Sequence, residues 1–209
     1  MNSHWKILKK SKCDKLISTN EKIAIDVVLL LTEDIKNICK KINSKLNWKI
    51  DFNNSNKIPH ISIIMWVIEK KNIEKIKEII EEINKNLWEI EIKWKIENYI
   101  ISETKENILS IKIEKNDKII KYFLTLKEIL WKYFSYDVKL NMFYNHKEVE
   151  IISTSWVKWY WKKTENNFDP HITLWIWNLK NEINKIFSFE TNGLWLYQLW
   201  NYCTCSNKL

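Results

Sequence analysis

Two segments of the sequence share one pattern: Pro59-His60-Ile61-Ser62-Ile63 and Pro170-His171-Ile172-Thr173-Leu174. They contain both prolines and two of the four histidines of the chain. Because successive side chains of a strand point to opposite faces, each segment predicts a strand with its imidazole and hydroxyl on one face and its aliphatic side chains on the other. We therefore expect two strands that each present one histidine and one hydroxyl from a rigid, packed element.

Strand-like and helix-like patterns alternate around these segments. Apolar positions at helical spacing predict helices over residues 33–46, 71–86, 117–131 and 179–187. Apolar or alternating runs predict strands over residues 23–31, 58–68, 89–101, 107–114 and 170–176, with terminal strands between Phe189 and Thr204. Strands 89–101 and 107–114 are joined by too few residues for a crossover, so much of the pairing should be antiparallel. The stretch before residue 170 is less regular. The order of predicted strands and helices along the chain indicates an α+β or α/β fold.

The composition is that of a globular protein with an excess of positive charge. The chain has 209 residues, 45% of them hydrophobic, which is enough to bury a core. Apolar runs stay short of the roughly 18 residues of a membrane span, and the lysine-rich start is unlike a secretory signal, so we expect a cytoplasmic protein with no membrane partner. All 34 basic residues are lysine and the net charge is +8, which suits an anionic partner such as RNA. A solvated lysine-rich surface is the alternative interpretation.

The cysteines give no sign of a structural metal site. Cys13, Cys39, Cys203 and Cys205 lack C-x-x-C spacing, and without a secretion signal they are interpreted as reduced thiols. Cys203 and Cys205 would share one face of a strand, which is weak evidence for a pair of ligands.

The chain contains one glycine and thirteen tryptophans, whereas average usage gives roughly 15 glycines in this length. Trp48, Trp88 and Trp131 stand where a left-handed residue commonly ends a helix. Exclusive use of lysine and abundant Ile and Asn indicate an AT-rich genome. Together these features favour the hypothesis that the gene uses UGA for glycine and that the tryptophans come from reading UGA as Trp. The alternative is a tryptophan-rich protein with an aromatic binding surface.

At its two histidine segments the chain resembles the two-histidine (2H) phosphoesterase superfamily, which includes the bacterial 2′-5′ RNA ligase-like cyclic phosphodiesterases. The resemblance lies in the paired H-x-[ST]-x signature, at residues 60–63 and 171–174. Phe168-Asp169-Pro170 before the second signature, and Trp175 after it if that residue is glycine, are also similar to the family.

The resemblance extends to the coarse order of strands and helices over residues 22–204. It implies an α+β, bilobal, pseudo-twofold fold with mostly antiparallel sheets lining a central cleft and helices outside. Residues 1–21 would then be an N-terminal extension and residues 22–209 a single domain.

Acid–base chemistry follows from the residue types. Histidine has an unperturbed pKa of about 6.5. Near neutrality one of the two residues His60 and His171 can therefore act as the base and the other as the acid. Ser62 and Thr173 would donate hydrogen bonds to the non-bridging oxygens of a phosphate, and the scheme requires no metal and no cofactor. The resemblance implies hydrolysis of 2′,3′-cyclic phosphates, or the reverse 2′-5′ RNA ligation, with a 2′-phosphate product. The expected partner is RNA or a nucleotide that carries a cyclic phosphate, and we expect a monomer.

Substrate-binding residues are expected around this pair. A loop over residues 156–163 would hold phosphate and stack a base through Tyr160 and Lys162, or be a solvated loop without a ligand. Phe168 would either stack on the substrate or belong to the core. His4 and His146 are interpreted as structural histidines.

Two other classes of function stay open. A non-catalytic RNA-binding module would explain the charge and the aromatic residues without requiring the paired signature. A metal-dependent hydrolase would use His60 and His171 as ligands, although neither has an acidic neighbour in the sequence at recognisable metal-ligand spacing.

Overall fold

The computed structural model describes residues 21–44, 50–53, 56–85, 92–101, 106–166, 168–175, 187–189 and 191–209. The helices are α1 (Glu33–Asn43), α2 (Ile73–Lys85), α3 (Asp117–Leu130) and α4 (Ile152–Asn166). The strands are β1 (Lys22–Leu31), β2 (His60–Glu69), β3 (Ile92–Ile101), β4 (Glu106–Ile113), β5 (Phe134–Ser135), β6 (His171–Trp175), β7 (Phe187–Phe189), β8 (Thr191–Leu199) and β9 (Cys205–Lys208). Short 3₁₀ turns cover Lys70–Asn72, Trp131–Tyr133, Leu140–Met142, His146–Glu148 and Asn201–Cys203.

The strands form two sheets in which the described pairs are antiparallel. One has the order β5-β2-β1-β8-β9 and the other the order β6-β4-β3-β7. The fold is therefore mixed α+β with antiparallel sheets, and the α/β alternative is wrong. Each sheet carries one histidine segment, on β2 and on β6, and these two strands contact each other.

Local sequence explains where several helices begin. The side chain of Asn116 accepts a hydrogen bond from the amide of Ile119 and so caps the start of α3. Helix α1 has acidic residues in its first turn and lysines in its last, the arrangement that complements a helix dipole. Buried Asn43 ends α1 and donates from Nδ2 to the carbonyls of Ile50 and Leu174, which ties this helix to β6.

The predicted elements agree with the structure over most of the described residues. The helices predicted over 33–46, 71–86 and 117–131 correspond to α1, α2 and α3, and the predicted strands correspond to β1, β2, β3, β4 and β6 within a few residues. The predicted helix over 179–187 falls outside the described residues, apart from Phe187 at the start of β7. The proposed extension at 1–21 also falls outside them, apart from residue 21.

The loop predicted over residues 156–163 is wrong, because these residues belong to helix α4. Ser153, Trp156 and Val157 are buried, and Tyr160 is half-buried one turn later, which is the spacing of one helix face. This face contacts β2. Serine, threonine, valine and aromatic residues have weak helix propensity, so burial against the sheet, rather than local preference, makes this segment helical.

The described tryptophans do not adopt left-handed backbone conformations. Trp131 has φ −45° and ψ −45°, a right-handed helical geometry, so the interpretation of this position as a left-handed helix end is wrong. Trp48 and Trp88 lie outside the described residues. Among the residues that the structure describes, positive φ occurs at Gly193, Asn145, Tyr202 and Cys203.

Candidate active site

The predicted alternation of the two histidine segments is confirmed. On β2, Ile61 and Ile63 are fully buried while His60 and Ser62 are partly accessible. On β6, Ile172 and Leu174 are fully buried while His171 and Thr173 are partly accessible. Each strand thus anchors its histidine and hydroxyl through aliphatic side chains that point into the core.

Both imidazoles are oriented by the same local contact. Nδ1 of His60 lies 2.8 Å from the carbonyl oxygen of Ile58, and Nδ1 of His171 lies 2.9 Å from that of Asp169. A proline stands between histidine and carbonyl in each case, and it holds the preceding residue extended. Because a carbonyl only accepts hydrogen bonds, Nδ1 must carry the proton. Nε2 is then the atom that each ring offers for acid–base chemistry.

The structure brings the four predicted catalytic residues together. His60, Ser62, His171 and Thr173 line one cleft between the motif strands, with a cavity of about 70 Å³, and Tyr160 lines it too. Residues that are far apart in the sequence therefore share one concave site.

An acidic residue that the sequence analysis did not assign to the site lies behind His60. Asp26 of β1 is fully buried and accepts a hydrogen bond of 2.6 Å from the hydroxyl of Ser62. Its Oδ2 lies 3.6 Å from Nε2 of His60, which is too long for a direct hydrogen bond, so this contact is electrostatic. Burial raises the pKa of Asp26, and its interactions with His60 and Ser62 oppose that rise. The available signal was a lone aspartate inside an otherwise apolar strand.

Of the two cysteines near the end of the sequence, Cys205 lies beside His60, which the sequence does not indicate. The expectation that Cys203 and Cys205 share a strand face is wrong, because Cys203 lies in a turn with φ +52° and only Cys205 belongs to β9. Sγ of Cys205 is 3.6 Å from Nε2 of His60. Cys39, Cys203 and Cys205 are free thiols, as expected, while Cys13 lies outside the described residues. Burial raises the pKa of Cys203 and Cys205 well above the ordinary value, so both thiols stay protonated near neutrality.

The predicted substrate-binding residues have different positions. The Tyr160 hydroxyl lies 3.1 Å from the carbonyl oxygens of both Ser62 and Ile63, which ties α4 to β2 beside the cleft. Phe168 is buried and stacks on Phe123 with ring centroids 4.4 Å apart, which corresponds to the core alternative. The side chain of Lys162 lies outside the described residues. His146 is exposed, and His4 lies outside the described residues.

Trp156 and Trp159 also line the cleft. The indole nitrogen of Trp156 is buried without a hydrogen-bond partner among the described residues, although a buried indole N–H usually has one. The cavity of about 70 Å³ is far below the roughly 300 Å³ at which small-molecule pockets begin. Glycine at these two positions would remove an unsatisfied donor and widen the cleft, which agrees with the UGA hypothesis.

Comparison with known proteins gives no match to a family model and no match among curated proteins. In the described part of the chain, none of the helices has the length and apolar character needed to cross a bilayer.

Proposed function

We propose that this chain is a metal-independent phosphodiesterase that opens 2′,3′-cyclic phosphates on RNA ends or nucleotides, and that joins RNA ends through a reversible 2′-5′ bond when a ribose 5′ hydroxyl attacks in place of water. The observation that carries the proposal is the matched pair of histidines. In each, Nδ1 donates a hydrogen bond to a backbone carbonyl, and a serine or threonine hydroxyl follows two residues later. Both histidines line one cleft.

The chemistry needs two proton transfers on opposite sides of the phosphorus. One imidazole removes a proton from water through Nε2 as the water oxygen attacks phosphorus. The other imidazole donates a proton to the ribose oxygen whose bond to phosphorus breaks. If the 3′ oxygen leaves, the products are a 2′-phosphate and a free 3′ hydroxyl. Exchange with solvent then restores both histidines.

Hydroxyl and lysine groups would stabilise the charge of the substrate. Thr173 reaches the cleft and would donate to a non-bridging oxygen as negative charge develops there. The net charge of +8, with every basic residue a lysine, favours approach of a phosphate backbone. The two-histidine superfamily implies the same acid–base pair and the same regiochemistry.

The test is incubation with RNA that ends in a 2′,3′-cyclic phosphate and with 2′,3′-cyclic nucleotides, followed by identification of the phosphate position. The chain is assayed as it stands and with glycine at every tryptophan position. We expect a 2′-phosphate, turnover that survives EDTA, and faster turnover in the glycine form because its cleft is wider. RNA binding without turnover in both forms would instead favour a non-catalytic RNA-binding module, and loss of turnover in EDTA would favour a metal-dependent hydrolase.

A further inference from the structure

Three metal-ligating side chains meet at the inner side of His60. The carboxylate of Asp26, Nε2 of His60 and Sγ of Cys205 all lie within 4.8 Å of one another. Among the described residues this is the one group of its kind. Its members come from β1, β2 and β9, and an isolated bridge between Ile58 and Cys205 brings β9 beside the start of β2.

Two of the three separations in this group match a tetrahedral zinc site. With zinc at the usual distances from nitrogen, oxygen and sulfur, a tetrahedron has edges of about 3.4 Å between N and O and about 3.6 Å between N and S. The structure has 3.6 Å between Nε2 of His60 and Oδ2 of Asp26, and 3.6 Å between Nε2 and Sγ of Cys205. The third separation, between the carboxylate of Asp26 and Sγ of Cys205, is within 4.8 Å, so a bound metal ion would draw these two side chains closer together.

The outer contacts are those that a zinc ligand set usually has. His60 holds its Nδ1 on the carbonyl of Ile58, which fixes the ring with Nε2 toward the group. Ser62 donates to Oδ2 of Asp26 and so orients the carboxylate.

Asp26 supplies an independent sign of a missing partner. The residue is fully buried, and its Oδ1 has no hydrogen-bond partner among the described residues. A buried carboxylate oxygen without a partner is costly and rare. A divalent cation bound through both oxygens of the carboxylate would satisfy Oδ1 as well as Oδ2, and carboxylate, thiolate and neutral imidazole together would balance the +2 charge.

We propose that Asp26, His60 and Cys205 bind Zn²⁺, with the fourth position left for water on the cleft side. Zn²⁺ displaces the thiol proton of Cys205 to solvent and occupies the lone pair of Nε2 on His60. The same nitrogen cannot then transfer a proton to or from a substrate. Zn²⁺ thus inhibits the enzyme reversibly, a consequence that rests on the proposed function, whereas the metal binding does not.

Cobalt provides a direct readout of the site. Co²⁺ added to reduced protein should give visible bands of tetrahedral geometry and a near-ultraviolet sulfur-to-cobalt charge-transfer band, and Zn²⁺ should displace both. The band should disappear in Cys205→Ser and persist in Cys203→Ser, the matched control. Cys203 is buried two residues away, and its thiol contacts the Ser153 carbonyl at 3.5 Å.

Measurements of Zn²⁺ affinity distinguish the residues that bind the metal from the residue that orients one of them. Zn²⁺ affinity, measured by competition with a chelating dye, should fall about 10- to 100-fold in Ser62→Ala, the usual effect of removing an outer contact. It should fall further in Asp26→Asn and Cys205→Ser. If Asp26→Asn does not fold, the cobalt spectrum of Cys205→Ser decides by itself. A wild-type protein without the charge-transfer band, or a band that survives in Cys205→Ser and vanishes in Cys203→Ser, would overturn the site.

The inhibitory role has a separate test. Wild-type hydrolysis should fall with added Zn²⁺ and recover with EDTA, and Cys205→Ser should need a much higher Zn²⁺ concentration for the same fractional loss. His171→Ala should lose hydrolysis but keep the cobalt spectrum. If the wild-type protein gives the cobalt spectrum but does not hydrolyse the cyclic phosphate, the proposed function is wrong and the metal site is retained. Activation by Zn²⁺ would overturn the inhibitory inference.

Discussion

His60 stands at the start of β2, between β1 and β5 in one sheet, whereas His171 starts β6, the terminal strand of the other described sheet. The two segments share their alternation and the contact from Nδ1 to a carbonyl two residues earlier. Their surroundings differ, because β1 places a buried carboxylate beside His60 and β9 places a thiol there. Local sequence thus sets the orientation of each imidazole, while neighbouring strands decide the electrostatic environment in which it works.

The hydroxyl groups of Ser62 and Thr173 also differ in their surroundings. The hydroxyl of Ser62 donates its one proton to Asp26, whereas Thr173 lines the cleft on the strand that faces it. A serine that is committed to a carboxylate must rotate away before it can donate to a phosphate. We therefore expect Thr173 to serve the substrate more directly than Ser62.

The largest expected effect is loss of either histidine. His60→Ala and His171→Ala should each lower kcat by ~10² to ~10⁴, the range for a positioned acid or base. Because both act in one transfer, the double variant should be little worse than the poorer single variant. Steady-state kinetics on a 2′,3′-cyclic nucleotide measures this, with His146→Ala, an exposed histidine, as the control. Full activity in either single variant would remove that histidine from the mechanism.

Removing the packing beneath each histidine should affect stability instead. Ile61 and Ile172 are fully buried, so Ile61→Ala and Ile172→Ala should each lower the free energy of unfolding by about 2–5 kcal/mol through cavity formation. Turnover in the molecules that remain folded should be comparatively intact. Urea denaturation followed by fluorescence, together with activity per folded molecule, tests this. Folded but inactive isoleucine variants would mean that the register of the strand is shifted by one residue.

The hydroxyl variants should separate the two segments. Thr173→Val should keep wild-type stability and lose roughly 10² to 10³ in kcat, as expected for a lost oxyanion donor. Ser62→Ala should also destabilise the fold, by about 1–3 kcal/mol, because it leaves both oxygens of a buried carboxylate without a donor. Kinetics and urea denaturation on the same preparations show the contrast. Equal stability of the two variants would contradict the assigned role of Asp26.

A smaller effect on stability is expected at high pH from Cys39 in helix α1, which packs against β6. Helix α1 contacts β6 and buries Cys39, and this burial raises the thiol pKa from 9.0 to about 12. The thiol ionises first in the unfolded chain, so this contribution to stability is complete below pH 9 and is lost as pH rises toward 12. Cys39→Ala should flatten the fall in unfolding free energy above pH 9 by up to about 1.4 kcal/mol per pH unit. Denaturation curves of the two proteins at matched pH values measure it, and parallel curves would contradict the burial of the thiol.

The tryptophan hypothesis is decided outside the protein. Codons at positions 48, 88 and 131 should be UGA in the gene, and UGG at these positions would end the recoding interpretation. The right-handed geometry of Trp131 speaks against glycine as a left-handed helix end at that position, and the unsatisfied indole of Trp156 inside a narrow cleft favours glycine there.

Much of the fold was accessible from the sequence because its signals are local. Period-two and period-3.6 patterns predict five of the described strands and three of the four described α-helices, and the alternation in both histidine segments places His60 and His171 on accessible faces. Local patterns do not predict helix α4, because its residues have weak helix propensity and become helical through burial against β2.

The sequence by itself determined the two strands, their inward and outward faces and the orientation of each imidazole, since these depend on residues within a few positions of the histidines. Only the tertiary structure decided what surrounds them. Ser62 meets Asp26 across 36 positions and His60 meets Cys205 across 145. Contacts over such separations depend on how strands pair and how the chain returns to a sheet, and a single sequence carries no periodicity that encodes them.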